Sequence, residues 1–392
     1  MRLDVLIFGG GAAGLWCLDR LRRAGYHAIL LESTALGQGQ TIKAQGIIHG
    51  GGKYALRGVR DFTAVRATRE MPERWRRSLA GDLEPNLTGT KVLADRCYLW
   101  LPRGSATAWL QSWGFISALK NTGLLSTPPE RVPRPSWPAV LRDSAHAVYT
   151  LAEPVIATAS LLETLASHHR KFIFKYDVAA ACFFFDEEIR ISDTAFKPRS
   201  IVLTAGEGNA DLLHQAHVSQ GLMQRRPLAM VLLKGPLSPL FGHCVVGGKT
   251  QLTITTPRPD VWQVGGEIAE QLAHEQDLEV ARKRALVEIR RWCPALDFTR
   301  LEIALYRAVR AEARTNDQRR PSGVHADLVA PRTIVAWPTK LALAPVLAEE
   351  VCSLVSSELG QPGEYDDTVL PLWPAPPLAR YPWEEVEWFP AH

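Results

Sequence analysis

The strongest constraint on the fold is a glycine pattern near the N-terminus, between a predicted strand and a predicted helix. The apolar run LDVLIF is typical of a buried strand, and AAGLWCLDRLRR has the apolar spacing of a helix. Gly9, Gly11 and Gly14 follow the pattern G-x-G-x-x-G at this junction. The first glycine permits a tight turn, the second lets backbone approach a pyrophosphate, and the third allows close helix–strand packing. The helix N-terminus would then present unpaired N–H groups to the phosphates.

An acidic residue completes this unit. The second predicted strand, HAILLE, ends in Glu32, at the distance expected for a partner of a ribose hydroxyl. A carboxylate at this position repels a ribose phosphate, so NADP is the least expected ligand. The unit therefore predicts an α/β fold with a Rossmann-like dinucleotide-binding domain, and by itself it leaves NAD and FAD open.

Length and composition limit the remaining possibilities. A chain of 392 residues exceeds the size at which one hydrophobic core stops growing, so we expect two associated domains. The net charge of +4 is that of an ordinary soluble protein and does not favour nucleic-acid binding. Six cysteines without a C-x-x-C pair argue against zinc and against a disulfide framework, which predicts a reducing, cytoplasmic setting. No apolar stretch has the length of a membrane span.

Several segments resemble one flavoprotein family. Residues 37–56, GQGQTIKAQGIIHGGGKYAL, are similar to the continuation of the dinucleotide unit in the FAD-dependent family of D-amino-acid oxidase, glycine oxidase, L-2-hydroxyglutarate oxidase and glycerol-3-phosphate dehydrogenase. The I-H-G-G core is most similar to the last two. Residues 153–166, 201–213, 306–314 and 334–351 resemble the same family in the same order. The resemblance implies FAD as the cofactor and oxidoreductase activity.

The resemblance also implies a discontinuous domain organisation. The FAD-binding domain would comprise residues 1–75, 150–215 and 305–360, and a substrate domain with a mixed antiparallel sheet would comprise 76–149 and 216–304. Within the latter, two strand-like runs around PRPD predict a hairpin over Gln251–Gly265, and EQDLEVARKRALVEIRRW predicts an amphipathic helix. The tail, residues 361–392, is rich in Pro and Trp and is expected to pack on its own chain or on another subunit.

The glycine pattern and the resemblance together predict a set of cofactor-binding residues. Thr339 and Lys340 would open the last helix, whose N-terminus can stabilise negative charge on the reduced flavin; Lys340 pointing to solvent is the alternative. In relatives this loop is usually glycine-rich, whereas here it reads WPTK. The full predicted set is Gly9, Gly11, Ala12, Ala13, Gly14, Glu32, Thr41, Gln45, Gly46, Val178, Ala205, Gly206, Thr339, Lys340 and Leu341.

Four residues are candidates for catalysis. His49 is the leading base, because histidine titrates near neutrality and its segment runs beside the flavin in relatives. A structural histidine and a covalent flavin attachment point are its alternatives. Lys53 would bind the substrate anion or the flavin, or would be a solvated turn residue. Arg310, and after it Arg307, would clamp a carboxylate or phosphate, since a guanidinium binds such anions bidentately.

These residues predict an FAD-dependent oxidoreductase that oxidises a C–OH or C–NH bond of a small anionic metabolite. A 2-hydroxy acid or a polyol phosphate is preferred, and an amino-acid or secondary-amine oxidase is the alternative within the family. An FAD-stabilised binding or assembly protein without turnover is the alternative of another class. We expect no nucleic-acid partner and no integral membrane segment. We also expect no metal site, because His214 and His217 lack a third nearby ligand. The electron acceptor (oxygen, quinone or protein) and homo-oligomerisation stay open.

Overall fold

Two large β-sheets organise the chain. The computed structural model describes residues 1–51, 66–103, 127–185, 188–218, 221–317 and 319–392. The strands in these ranges are β1 (Arg2–Phe8), β2 (Ala28–Glu32), β3 (Val92–Ala94), β4 (Cys97–Pro102), β5 (Glu130–Arg131), β6 (Ala145–Leu151), β7 (Val155–Ile156), β8 (Ile173–Lys175), β9 (Ala181–Phe185), β10 (Glu188–Ile191), β11 (Thr194–Leu203), β12 (Met223–Lys234), β13 (Gly242–Val246), β14 (Lys249–Arg258), β15 (Val261–Gly265), β16 (Glu302–Ala313), β17 (His325–Ala330), β18 (Thr333–Trp337) and β19 (Phe389–Pro390). The α-helices are α1 (Ala12–Arg23), α2 (Gln40–Lys43), α3 (Met71–Ala80), α4 (Thr158–His168), α5 (Asn209–Gln215), α6 (Glu267–Gln271), α7 (Leu278–Trp292) and α8 (Ala344–Leu359).

The first sheet carries the predicted dinucleotide unit. Its core strands run parallel in the order β18-β11-β1-β2-β8, and β17 pairs antiparallel with β18 at one edge. Strand β1 is buried from Leu3 to Phe8, as expected for a parallel strand covered on both faces. Helix α1 packs against α8 and α4. The Rossmann-like strand–helix–strand prediction is therefore confirmed.

Two glycines of the pattern are required by the packing of this unit. Gly9 has a φ of +106°, and a Cβ at this position would lie 2.5 Å from the Cα of Ala205. A Cβ on Gly14 would lie 1.9 Å from the backbone oxygen of Gly9. The turn after β1 therefore approaches the segment after β11 and the start of α1 at distances that no side chain permits.

The second sheet has nine strands in the order β19-β16-β12-β15-β14-β13-β4-β6-β5, and all its neighbours are antiparallel except β13 and β4. The predicted hairpin is confirmed as β14 and β15. The predicted helix is α7, which buries Ala281, Ala285 and Ile289. Leu278 stands in the first turn, directly after the Asp277 cap, and is 48% exposed.

The sheets divide the chain differently from the predicted boundary at residue 305. Strand β16, residues 302–313, pairs along its whole length with β12 of the second sheet. The chain returns to the first sheet only at β17. The reason is that Met223–Lys234 and Glu302–Ala313 match in length and register over twelve residues. The predicted domain boundaries remain a prediction, and the boundary at residue 305 would divide this strand between the two predicted domains.

The tail packs on its own chain, which was one of its two predicted alternatives. Leu378 bridges to Leu36, and Leu36 exchanges backbone hydrogen bonds with Pro377 and Ala379. Farther along, β19 pairs with β16, and Trp383 is buried. The tail thus contacts both the loop after β2 and the second sheet. No helix in the described part of the chain is long and apolar enough to cross a membrane.

Candidate functional site

One cavity of about 710 Å³ lies between the two sheets. The part of the cavity lined by the β1–α1 turn, Glu32 and Thr41 is called here the glycine end. The part lined by Glu270 of α6, by Arg310 of β16 and by Arg320 is called the arginine end. His49 lies on its wall. The carboxyl ends of parallel strands in open α/β sheets are where ligands bind, so the glycine end is where a dinucleotide is expected.

The glycine end exposes the start of α1. Gly11 is the N-cap residue and offers no side chain to cap the helix. The Thr41 hydroxyl accepts a hydrogen bond from the Ala12 N–H at 3.1 Å, and the Glu32 carboxylate accepts one from the Gly10 N–H at 2.6 Å. The N-cap residue itself adds no capping group, and a helix N-terminus attracts anions through its remaining N–H groups and its dipole.

The loop between Gly37 and His49 connects the first sheet to the second. The Gln45 amide donates to the backbone oxygens of Thr253 and Gln263, each at 2.9 Å. Gly46 has a φ of +72°, and a Cβ there would lie 2.0 Å from the Ile156 oxygen. These contacts hold the loop between the sheets, where it forms one wall of the cavity.

His49 is backed by two buried polar residues. Its Nδ1 lies 3.1 Å from Oε2 of Glu153, a carboxylate that is 3% exposed. The Glu153 Oε1 accepts the Gly50 N–H at 2.8 Å, and Nε2 of the fully buried His243 lies 4.0 Å from Oε2. Within the described residues, His49, Glu153 and His243 are of the types that can hold a metal ion, with their ligand atoms within 4.8 Å of one another. The expectation of no metal site considered only His214 and His217 and not this cluster. It stays a prediction.

Arg307 does not reach the cavity. Its guanidinium donates to the Ala273 oxygen at 2.9 Å and to the Glu275 oxygen, on the outer face of β16. Side chains alternate between faces along a strand, so Arg307 and Arg310 point in opposite directions. The prediction that Arg307 joins the site does not fit this placement. Lys53 lies outside the described residues.

Arg310 is surrounded by other charged side chains at the arginine end. Its Nη1 donates to Oε1 of Glu270 at 3.1 Å. Arg226 binds the buried carboxylate of Glu312 through two hydrogen bonds of 2.8 and 3.0 Å, so that carboxylate is already paired. Burial, together with the cations Arg320 and Arg226, lowers the pKa of Arg310 to about 10. The guanidinium stays charged at neutral pH, and an added anion would be stabilised here.

The segment before α8 differs in detail from the predicted helix start. A 3-10 turn, Leu341–Leu343, precedes α8, and Pro345 lies in the first turn of the helix. Lys340 is buried and donates to the Ser322 oxygen at 2.8 Å, so the solvent-exposed alternative is wrong. Thr339 has a φ of +61°, and its buried Oγ1 has no hydrogen-bond partner among the described residues.

The cavity collects nearly all the predicted cofactor residues. Gly14 is the exception, because it packs α1 against β1 behind the cavity wall. The predicted residues that line the cavity are Gly9, Gly11, Ala12, Ala13, Glu32, Thr41, Gln45, Gly46, Val178, Ala205, Gly206, Thr339, Lys340 and Leu341. Of the four predicted catalytic residues, His49 and Arg310 line it.

Sequence reasoning missed the residues that surround His49 and Arg310. Glu153 was noted only as the start of a family-like segment, although a glutamate two residues before a buried strand was a usable signal. His243, Glu270 and Arg320 carry no local motif. Strand pairing brings His243 next to Glu153, and the fold brings Glu270 of α6 and Arg320 to the cavity.

Comparison with known proteins identifies close relatives. The sequence model of the FAD dependent oxidoreductase family, DAO, matches residues 4–351. The chain is 36% identical over 401 residues to the probable FAD-dependent oxidoreductase PA4991 of Pseudomonas aeruginosa, covering 97% of both. The crystal structure of PA4991 superposes with a TM-score of 0.81, at 34% identity and with 98% of each chain covered.

More distant solved structures share the fold. Glycine oxidase from Geobacillus kaustophilus superposes with a TM-score of 0.62 at 14% identity, covering 93% of this chain and 96% of that one. L-alpha-glycerophosphate oxidase from Mycoplasma pneumoniae with FAD bound superposes with a TM-score of 0.65 at 14% identity, covering 94% and 98%. At this identity the likeness concerns the fold alone.

Proposed function

The chain belongs to the DAO family of FAD-dependent oxidoreductases, and on that basis we propose that it oxidises a C–OH or C–NH bond of a small anionic metabolite. A 2-hydroxy acid or a polyol phosphate is the preferred class. The observation that carries this proposal is that His49 and Arg310 line the same cavity as the dinucleotide turn. That cavity thus contains a candidate base, a candidate anion clamp and the binding elements for the cofactor.

The residues of the cavity fit FAD. Thr339 offers a buried hydroxyl with no partner among the described residues, and the N-cap residue of α1 is Gly11, which has no side chain. The Glu32 carboxylate, which bonds to the Gly10 N–H and to Thr34, keeps further lone pairs for a ribose hydroxyl. We propose that Gly11, Ala12 and Ala13 meet the pyrophosphate and that Thr339, Lys340 and Leu341 meet the ring.

The chain's own residues then have distinct tasks. When bound, FAD supplies the acceptor for the hydride that leaves the substrate carbon. His49 takes the hydroxyl or ammonium proton, and Arg310 holds the anionic group of the substrate so that the C–H bond has one orientation. The strands of the second sheet cover the cavity and exclude water. The domain division predicted above would place cofactor binding in one domain and anion binding in the other.

An amino acid or secondary amine is the second candidate substrate class. Glu267 and Glu270 also line the cavity, and Glu270 is bound to Arg310. A carboxylate beside a guanidinium suits a zwitterion, whose ammonium group would pair with the glutamate while its carboxylate pairs with the arginine. Glycine oxidase and L-proline dehydrogenase are among the proteins with the same fold.

We further propose that the protein works in a reducing compartment, the cytoplasm. Cys17, Cys97, Cys244, Cys293 and Cys352 are buried free thiols. Burial raises the pKa of Cys293 to about 12, so this thiol is not poised for oxidation.

The experiment that tests the proposed function is anaerobic flavin reduction. The purified holoprotein is mixed with separate panels of 2-hydroxy acids, amino acids, secondary amines and polyol phosphates, and the flavin absorbance is followed. We expect one anionic class to bleach the flavin, and we expect the methyl ester of the same compound to react far more slowly. Readmission of air then separates an oxidase, which recovers its colour, from a dehydrogenase.

The proposal is wrong if uncharged alcohols or amines bleach the flavin as fast as their anionic counterparts. A yellow protein that no member of any panel bleaches would instead favour a binding or assembly role without turnover.

A further inference from the structure

We propose that Glu153 is a positioning residue that fixes the tautomer of His49, with His243 holding the far side of the carboxylate. The inference deepens the proposed function, since it explains how the candidate base is kept ready to accept a proton. The three residues lie on different parts of the chain and meet only in the folded molecule.

The hydrogen bonds of Glu153 determine which nitrogen of His49 carries the proton. One carboxylate oxygen accepts the Gly50 N–H at 2.8 Å, and the other lies 3.1 Å from Nδ1 of His49. An ionised carboxylate only accepts hydrogen bonds, so Nδ1 must be the donor. In the neutral ring the remaining nitrogen, Nε2, is then the acceptor. His49 lines the cavity, and this tautomer gives it the lone pair that a base needs.

Backbone pairing on both sides holds the two residues at this distance. The Ile48 N–H donates to the Pro154 oxygen at 2.9 Å, and the Ile156 N–H donates to the Gly46 oxygen at 3.0 Å. These bonds join the residue before His49 to the residue after Glu153. The carboxylate therefore follows the histidine if the loop moves, and the pair behaves as one rigid unit.

His243 connects this unit to the second sheet. Its Nδ1 lies 3.0 Å from the Thr253 hydroxyl of β14, and its Nε2 lies 4.0 Å from the Glu153 oxygen that faces His49. The two imidazole rings are 5.4 Å apart between centroids, with a tilt of 37°. A fully buried ring at this place fills the space behind the carboxylate and limits its rotation.

A metal ion is the competing explanation for two histidines and a glutamate. The hydrogen-bond explanation is favoured because the His49–Glu153 distance is that of an ordinary hydrogen bond, and Glu153 already holds a backbone N–H. A carboxylate that orients a catalytic histidine is an established arrangement in hydrolases, where loss of its charge leaves the ring in the wrong tautomer.

The test measures the tautomer of His49 directly, on the FAD-bound full-length chain without substrate. Histidine labelled with ¹⁵N reports by its chemical shifts which ring nitrogen carries the proton, and His49→Gln assigns the signal. We expect the Nδ1–H form in the parent protein. In Glu153→Gln the amide oxygen keeps the Gly50 bond and the amide N–H₂ faces Nδ1, so we expect the ring to switch to the Nε2–H form. Glu163→Gln, the same change on the exposed face of α4, should leave the signal unchanged.

Glu153→Asp keeps the charge and serves if the glutamine variant does not fold; it should retain the Nδ1–H form. Once a substrate is known, Glu153→Gln should lower kcat about a hundredfold, with KM changed by less than about threefold. The proposal is overturned if the parent ring is in the Nε2–H form, if Glu153→Gln leaves the tautomer unchanged, or if the protein holds a stoichiometric metal that this variant loses. Because the tautomer is read without substrate, failure of the substrate proposal would leave this result standing.

Discussion

The two ends of the cavity are built in different ways. At the glycine end the turn and the helix start are backbone: Gly9 leaves no room for a Cβ, and the N-cap residue of α1 is a glycine without a side chain. At the arginine end the surface is formed by the charged side chains Arg310, Arg320 and Glu270, with the Arg226–Glu312 pair next to them. Gly9 admits no side chain, whereas the charges of the second end can be varied one at a time.

Under the proposed function the glycine end would bind the cofactor and the arginine end the substrate, which accounts for this difference. A cofactor shared by a whole family needs one fixed backbone geometry, and Gly-rich turns provide it through close approach and N–H donors. A substrate that differs between relatives needs a surface whose charges can change without altering the fold. We expect substitutions at the glycine end to change stability and FAD content. We expect substitutions at the arginine end to change stability and anion binding.

The largest expected effect is at the glycine end. Gly9→Ala forces a side chain into a backbone with a φ of +106° and against Ala205, so we expect the free energy of unfolding to fall by about 4 kcal/mol or more and bound FAD to be lost. Gly208→Ala is the matched control: it also lines the cavity, but it has helical φ and ψ and meets only the Ala205 Cβ at 3.4 Å. Thermal unfolding and flavin absorbance per protein measure both. Equal behaviour of the two variants would contradict this description of the turn.

The next effect concerns the charged framework of the arginine end. Arg226→Ala leaves the Glu312 carboxylate, 1% exposed, without its bidentate partner, and we expect a loss of about 3 kcal/mol in urea denaturation. The double variant Arg226→Met with Glu312→Leu removes both charges and should recover most of that loss. If Arg226→Ala is as stable as the parent, the Arg226–Glu312 pair does not stabilise this end of the cavity.

A smaller effect is expected at Thr339, where the backbone conformation favours glycine but the proposed contact with FAD requires a hydroxyl. Thr339 is a β-branched residue at a φ of +61°, a conformation that costs about 1 kcal/mol or more outside glycine. Thr339→Gly should therefore stabilise the FAD-free protein by about 1 kcal/mol and weaken FAD binding by up to about tenfold, since the hydroxyl is lost. Thr339→Ser keeps the hydroxyl and should keep the affinity. Thermal unfolding of the FAD-free protein and FAD titration provide the two readouts. A Thr339→Gly protein that binds FAD at least as tightly as the parent would exclude a cofactor role for this hydroxyl.

The same contrast between the two ends explains what could be predicted from the sequence. The glycine pattern and Glu32 identified the first end because tight backbone geometry requires particular residues at fixed spacing. His49 was found through its neighbours in the family-like segment. Glu153 and His243 were not found, because residues 104 and 194 positions away from His49 meet it only after β4, β6, β13 and β14 have paired.

Arg307 shows the limit of motif reasoning within a single element. The family-like segment pointed to two arginines three residues apart, and only knowledge that the segment is a strand decides between them. The predicted boundary at residue 305 falls inside the same strand, which belongs to the second sheet through its pairing with β12, and no local pattern reveals that pairing.

The most direct test of the central claim, that the arginine end receives an anion beside the flavin, is a binding measurement that needs no known substrate. The FAD-bound protein is titrated with acetate, oxalate and inorganic phosphate, and the dissociation constant is taken from the change in flavin absorbance. We predict that at least one of these anions perturbs the spectrum, that Arg310→Ala weakens its binding by at least about fivefold while Arg320 still contributes, and that Arg307→Ala binds as the parent does. If no anion perturbs the flavin, or if all three proteins bind it equally, the claim is contradicted.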